Sequence, residues 1–309
     1  ANASRHSALS YGHAQKIEAQ LKGEVKQLLL LAEQADAADV PDGMSIPEEL
    51  QRREQRLAAI AQAKAKMEAR AQERFEREQA EYQAKMAARE ARQKATGKQP
   101  GGRPPAPPTG GPGPKDQVNL TDADSRIMPV AGGGFDQCYN AQAVVATGSL
   151  LVVASEVSQA PNDKQQLEPM LGKLNTLPEA LGQVENLLAD SGYCSEANVE
   201  SCEAAGIAPL IAMAREHHHI GWQERFAAAP EALPPDATAM HRMAHRLKTP
   251  AGKKLYGLRK QTPEPVFGII KSAMGFRQFL LRGLQNVQGE WDLVTMSWNI
   301  KRMFALSPA

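Results

Sequence analysis

Residues 48 to 95 contain neither glycine nor proline and are dominated by Ala, Glu, Gln, Arg and Lys. These are strong helix formers, so the stretch predicts one helix of more than forty residues. Its apolar stripe is thin, formed by Leu57, Ile60, Met67, Ala71, Phe75, Tyr82 and Met86. A seam that narrow suits a helical hairpin or coiled coil better than a globular core. The partner helix precedes it: between His13 and Asp36, residues Ile17, Leu21, Val25, Leu28 and Ala32 recur at spacings of four, four, three and four, which is one helical face. The segment DAADVPDGMSIP breaks the two apart, and Pro47 falls where a first helical turn tolerates it. Both charge signs are interspersed along the long helix, which reads as a solvated face rather than a basic helix lying on nucleic acid.

Directly after it, residues 96 to 115, TGKQPGGRPPAPPTGGPGPK, can build neither helix nor sheet. They predict a mobile linker, extended wherever prolines cluster. The rest of the 309 residues is long enough for a sizeable core, and the 42% hydrophobic and 23% charged content is that of a globular protein. Cys138, Cys194 and Cys202 are too few and too irregularly spaced for a disulfide scaffold or a zinc pattern, which points to a reducing compartment. No stretch approaches the roughly 18 to 20 apolar residues of a membrane span, and no signal peptide opens the chain, so a cytoplasmic protein is expected. The net charge of +1 hides a basic lean over 248 to 271 and 277 to 302, where a polyanion would bind.

Beyond the linker, YNAQAVVATGSLLVVASEV reads as a hairpin of residues 139 to 146 and 150 to 157. Asn162 and Asp163 read as caps of a helix burying Leu167, Met170, Leu171 and Leu174, with Gln166 completing an approximate capping box. Val184, Leu187, Leu188 and Ala189 read as a buried strand ending at Asp190, with Gly192 letting the backbone turn. A helix from Ser195 and a strand IAPLIAM follow, which makes a mixed α/β sheet. The carboxyl end of such a strand is where α/β sheets bind ligands, although Asp and Gly there are also ordinary turn residues. His217, His218 and His219 are adjacent rather than at helical spacing, and read as a solvated loop.

Further on, Thr262 reads as the cap of a helix whose first turn holds Pro263, Glu264 and Pro265. On it Phe267, Ile270 and Met274 share a face, with Glu264 and Lys271 on its rim. Together ADSGY, Tyr256-x2-Arg259, Glu264-x6-Lys271, GFRQFLLRGL and the closing EWDLVTMSWNIKRMF resemble the C-terminal half of bacterial insertion-sequence DDE transposases with a ribonuclease-H-like core. The opening ANASRH, the long charged insertion and TDADSRIM…YNAQAVV resemble one branch of that family in the same order, so the likeness extends over essentially the whole chain. One departure stands out: four residues separate Arg259 from Glu264 where the family's Tyr-Arg-Glu-Lys motif usually has three, so Lys260 competes for the arginine's position.

The resemblance implies a ribonuclease-H-like mixed sheet flanked by helices, interrupted by the long helical hairpin or coiled coil. It lays the chain out as a remnant over 1–10, the hairpin over 11–95, the Pro/Gly linker over 96–118, a catalytic domain over 119–275 and C-terminal helices over 276–309. It implies metal-dependent DNA cleavage and strand transfer. Asp190 and Glu264 are then the second and third acids and the metal ligands, two Mg2+ (or Mn2+) ions are the cofactors, and Tyr256, Arg259, Lys260, Lys271, Arg277 and Arg282 contact DNA. The implied partners are double-stranded terminal repeats and target DNA, with a homo-oligomer as the active complex, no membrane, and a cytoplasmic, nucleoid-associated location. The family's first aspartate has no counterpart here, because Asp124 and Asp136 do not end apolar strands. On this reading the chain is an N-terminally truncated, inactive transposase whose central sheet has an unpaired edge. A non-catalytic DNA-binding regulatory remnant and a metal-dependent nuclease are the competing readings.

Overall fold

The computed structural model describes residues 1–34, 45–99, 101–130, 132–214, 230 and 232–307; the three adjacent histidines lie outside these. The chain divides into two compact units, one of Ala3–Ala123 and one of Ala1–Asn2 with Asp124–Ala309.

The first unit is the helical hairpin. Helix α1, Tyr11–Gln34, and helix α2, Ile46–Thr96, run antiparallel. Ion pairs fix that register, because Arg53 reaches back to Glu24 at 2.7 Å and, further along α2, Lys64 reaches Glu18 at 2.7 Å. The seam between them is formed by Ala14 and Leu21 of α1 against Ile60, Ala63 and Met67 of α2; Leu21, Ile60 and Met67 belong to the expected stripes, and Ala14 and Ala63 are additions. Strand β1, Ala8–Ser10, pairs antiparallel with β2, Gln117–Asn119, and closes the unit at one end. The Pro/Gly stretch lies along α2: Arg74 pairs with Asp116 at 2.9 Å, and Arg89 donates to the Gly102 carbonyl at 2.9 Å. Helix α2 ends at Gly97, whose φ of 66° is the left-handed conformation that glycine adopts without a Cβ penalty.

The second unit mixes helix and strand. Strands β3, Arg126–Pro129, and β4, Phe135–Cys138, form a short antiparallel pair. The hairpin expected from sequence is β5, Asn140–Val145, with β6, Val152–Ser158. Its faces are covered differently because strand side chains alternate. Val144 packs with helix α3, Leu167–Asn175, whereas Ala141, Ala143 and Val145 pack with the C-terminal helix.

Strand β7, Asn186–Ala189, pairs in parallel with β8, Ala208–Ile211, through helix α4, Glu196–Ala204, which Ser195 caps on the Asn198 amide. Helices α5, Ala239–Lys248, α6, Pro250–Gly257, α7, Pro263–Ser272, and α8, Leu284–Leu306, complete the unit. Two cores support it. One gathers α3, α4, α5 and β8 around Leu171, Val199, Ile211 and Met243. The other places Phe267, Phe276 and Phe279 around Trp291, with ring centroids 5.7, 6.2 and 6.4 Å from it.

Three local expectations differ from the structure. Helix α3 begins at Leu167 with Gln166 at its cap position, so Asp163 does not cap it and its carboxylate is turned to other partners. Thr262 occupies the cap position of α7 but donates its hydroxyl to the Leu258 carbonyl at 2.7 Å instead. The apolar run before Asp190 is only partly inside: Ala189 is buried while Leu187 and Leu188 are half-buried.

Candidate functional site

A cavity of about 780 Å3 in the second unit is lined by β5, β7, α3 and residues between Leu255 and Phe267. Asp163, Asp190, Glu264 and Arg259 are among the residues that line it. Asp190 is placed by the end of β7, and its carboxylate accepts the Gly192 amide at 2.9 Å, which closes the short turn Ser191–Tyr193. Asp163 is placed by β5, where the period of two brings Asn140 and Gln142 onto one face. Both amides donate to Asp163 Oδ1, at 2.9 and 2.8 Å.

The reason for glycine at 192 is space. Its φ is not left-handed. A Cβ there would come 3.0 Å from Asp190 Oδ1 and 3.3 Å from Asp163 Oδ2, so the two carboxylates converge on this residue. Tyr193 donates to the Gln142 side-chain oxygen. Its phenol is pushed well above its ordinary value, first by burial and then by the negative charges of Asp163 and Asp190. It therefore stays a neutral donor, which holds the Gln142 amide toward Asp163.

Glu264 enters from the first turn of α7 and pairs with Arg259 at 3.7 Å, with side-chain exposures of 60% and 17%. The pair is asymmetric, with a nearly sequestered cation behind a solvent-facing acid. Arg259 stacks on the Tyr256 ring at 5.7 Å, and its buried Nε finds no hydrogen-bond acceptor among the described residues. Lys271 lies over Phe267 at 6.0 Å, whereas Lys260 and Arg277 are exposed. Arg282 donates to the Asn2 carbonyl at 2.9 Å, which ties the first residues to this unit.

Of the residues expected from sequence, the structure brings Asp190, Glu264 and Arg259 to one cavity. It adds Asp163, which capping logic had hidden. The signal that could have exposed it is the polar pair Asn140 and Gln142 at period two in an otherwise apolar strand. Asp124 and Asp136 are engaged elsewhere: Asp124 Oδ2 accepts the Leu284 amide at 3.1 Å at the start of α8, and Asp136 accepts the Gln137 amide at 2.8 Å.

The donor set is all oxygen, which suits magnesium or manganese. Among the described residues no three acid, histidine or cysteine side chains stand as a ready-made cage. Magnesium does not require one, since one or two carboxylates with water and substrate phosphate usually hold it. Asp190 and Asp163, which approach one another at Gly192, supply two such carboxylates, and Glu264 lines the same cavity.

Residues 233–304 match the family model described as transposase DDE domain, which supports a DDE transposase. The matched stretch holds α5, α6, α7 and most of α8, including Arg259 and Glu264. The family acts on DNA and generally uses divalent metal ions. No curated protein and no solved structure matches the chain. No described helix is long and apolar enough to cross a membrane.

Proposed function

We propose that the second unit carries the phosphoryl-transfer site of an insertion-sequence transposase, with Asp190 and Glu264 as metal ligands on a ribonuclease-H-like core. The observation that carries this reading is that both residues, from elements far apart in sequence, line one cavity together with Arg259. When bound, divalent ions supply charge neutralisation at the transferring phosphate and lower the pKa of the attacking oxygen's proton. Asp163 positions Asp190 by crowding it across Gly192, and Asn140, Gln142 and Tyr193 hold Asp163 in turn.

Arg259 serves the phosphodiester. Its guanidinium, held by the Tyr256 ring, is freed from Glu264 when that carboxylate turns to a cation. Lys260, Lys271, Arg277 and Arg282 extend the cationic path to the flanking DNA backbone, where contacts position the duplex without reading sequence. The apolar residues Leu293, Met296, Ile300 and Met303 are exposed along α8 at helical spacing, which supports a homo-oligomeric complex.

The test pairs manganese titration with cleavage of supercoiled DNA in Mg2+, using the wild-type chain, Asp190→Asn and Glu264→Gln. Both variants should lose manganese affinity by about tenfold or more, and any cleavage seen in the wild type should vanish with it. Unchanged manganese binding in both would remove these residues from the site. Salt-sensitive DNA binding with no manganese binding in any form would favour the regulatory, non-catalytic reading.

A further inference from the structure

The mixed charge of helix α2 is an average over two different halves. From Glu68 to Gln83 the sequence carries five acids and three cations, whereas from Ala84 to Arg103 it carries six cations and the single acid Glu90. The second stretch also has a different support. Helix α1 begins at Tyr11, whose hydroxyl donates to Glu68 at 2.7 Å, so α2 from there to Thr96 extends past its helical partner. At 1.5 Å per residue that is about 40 Å of helix.

The proline-rich segment braces this outer half. Arg89 donates to the Gly101 and Gly102 carbonyls at 3.4 and 2.9 Å, and the Phe75 ring lies 3.8 Å from where a Cβ of Gly110 would stand. Arg74 donates to the Gly111 carbonyl at 3.4 Å and to Asp116 at 2.9 Å. Later residues of the segment meet earlier residues of the helix, so the two run antiparallel. Between these contacts Phe75, Gln79, Tyr82, Met86 and Arg89 are half-buried at spacings of four, three, four and three, which is one helical face. Pro105 and Pro108 are half-buried three residues apart, the period of a polyproline II helix. A strap of low conformational freedom thus lies on the helix that carries the cations.

Ordinary explanations for the basic bias fall short. The helix dipole favours cations only in the last turn, which holds Lys94 alone. Lys85 pairs with Glu81 at 3.3 Å, but Arg89 meets neutral carbonyls that leave its charge in place, and Arg92, Lys94, Lys98 and Arg103 are exposed. A helix that lies on a membrane needs a broad apolar face. Between Ala84 and Arg103 the one large apolar side chain is Met86, and it is half-buried.

We propose that Lys85, Arg89, Arg92, Lys94, Lys98 and Arg103 form an auxiliary surface for the phosphate backbone of duplex DNA. Because the strap holds the helix before binding, less conformational freedom is lost when the cations meet phosphates. Such contacts release counterions and hold a duplex without reading its sequence. The surface adds to the cationic path of the second unit, and the inference does not depend on the proposed cavity chemistry, because no metal ion enters it.

The experiment measures binding of the full chain to a mixed-sequence DNA duplex over a range of salt. It compares the wild type with a tip variant, Arg92→Gln, Lys94→Gln and Lys98→Gln together, and with a control of equal charge elsewhere on the hairpin, Lys26→Gln, Arg56→Gln and Lys66→Gln together. All of these side chains are exposed, and glutamine is a good helix former, so both variants should keep the helical signal of the wild type. The tip variant should bind about tenfold or more weakly and lower the slope of log affinity against log salt by about two to three, while the control lowers it much less. Equal slopes in the two variants would mean that net charge alone counts, and an unchanged slope in the tip variant would remove the surface; either result overturns the proposal. So would a tip variant that keeps its DNA binding but loses binding to phosphatidylglycerol vesicles, which would make the partner a membrane.

Discussion

The acids of the helical hairpin and the pair Asp163 and Asp190 of the cavity live under opposite conditions. In the hairpin unit Glu18, Glu24, Glu49 and Asp116 each meet a full positive charge. Glu18 lies between Lys22 and Lys64, whose hydrogen bonds lower its pKa to about 2. Hydrogen bonds from Gln20 and Arg53 lower Glu24, and the bond from Arg74 lowers Asp116. In the cavity Asp163 and Asp190 are met by neutral amides, and they crowd one glycine together. Carboxylates matched by cations favour the fold, while carboxylates gathered without them favour a ligand that brings the charge.

The largest effect expected on either side comes from the aromatic core that carries Glu264. Trp291 is 2% exposed and its indole donates to the Gln142 carbonyl at 2.9 Å. Trp291→Ala should cost about 3 to 5 kcal/mol in the second unit, seen as a lowered melting transition, with the helical signal of the hairpin retained. Loss of both transitions together would mean that the two units do not melt separately.

Gly252→Ala is next. A Cβ at that position would lie 1.8 Å from the Arg246 backbone carbonyl oxygen, so the α5–α6 junction has to move. Thermal unfolding should show destabilisation of about 2 kcal/mol or more, against a stabilisation of about 0.5 to 1 kcal/mol for Gly23→Ala inside α1, where nothing stands within 4 Å.

A direct break of the comparison exchanges charge for amide in each region. Asp163→Asn relieves like-charge crowding, so thermal stability should hold or rise slightly while manganese affinity drops; Glu18→Gln should lower stability and leave manganese binding alone. The pH dependence carries the same contrast. Because the folded pKa of Glu18 is depressed, its stabilisation is fully present above the unfolded value near 4.5 and fades as pH falls toward about 2. The melting curve of the hairpin between these limits should therefore flatten in Glu18→Gln.

The smallest effects belong to the cationic surface. Removing one charge, as in Lys271→Ala or Arg277→Ala, should weaken DNA binding only modestly and reduce the slope of log affinity against log salt by about one. A slope unchanged by both would place the DNA path elsewhere, and binding carried by the hairpin alone would reverse the division of labour argued above.

Sequence determined the elements whose signal is local. The glycine-free run forced α2, the four-four-three-four spacing gave α1 its seam, the period-two run made β5, and Asp190 stands at the end of its strand because Ala189 is the last apolar residue before a turn. Spacing also set Glu264 in the first turn of α7, where a carboxylate is electrostatically favoured. Tertiary structure alone decided what those residues face. Asp163 reads locally as a cap, and only the approach of β5 supplies Asn140 and Gln142 in place of helix amides. Gly192 reads as a flexible turn, and only the convergence of two carboxylates shows that it is needed for its missing side chain. Val184 to Ala189 reads as a buried central strand because composition records which neighbours a strand is suited to, whereas pairing is a contact between segments distant in sequence, so that β7 pairs with β8 alone among the described residues is visible only in three dimensions.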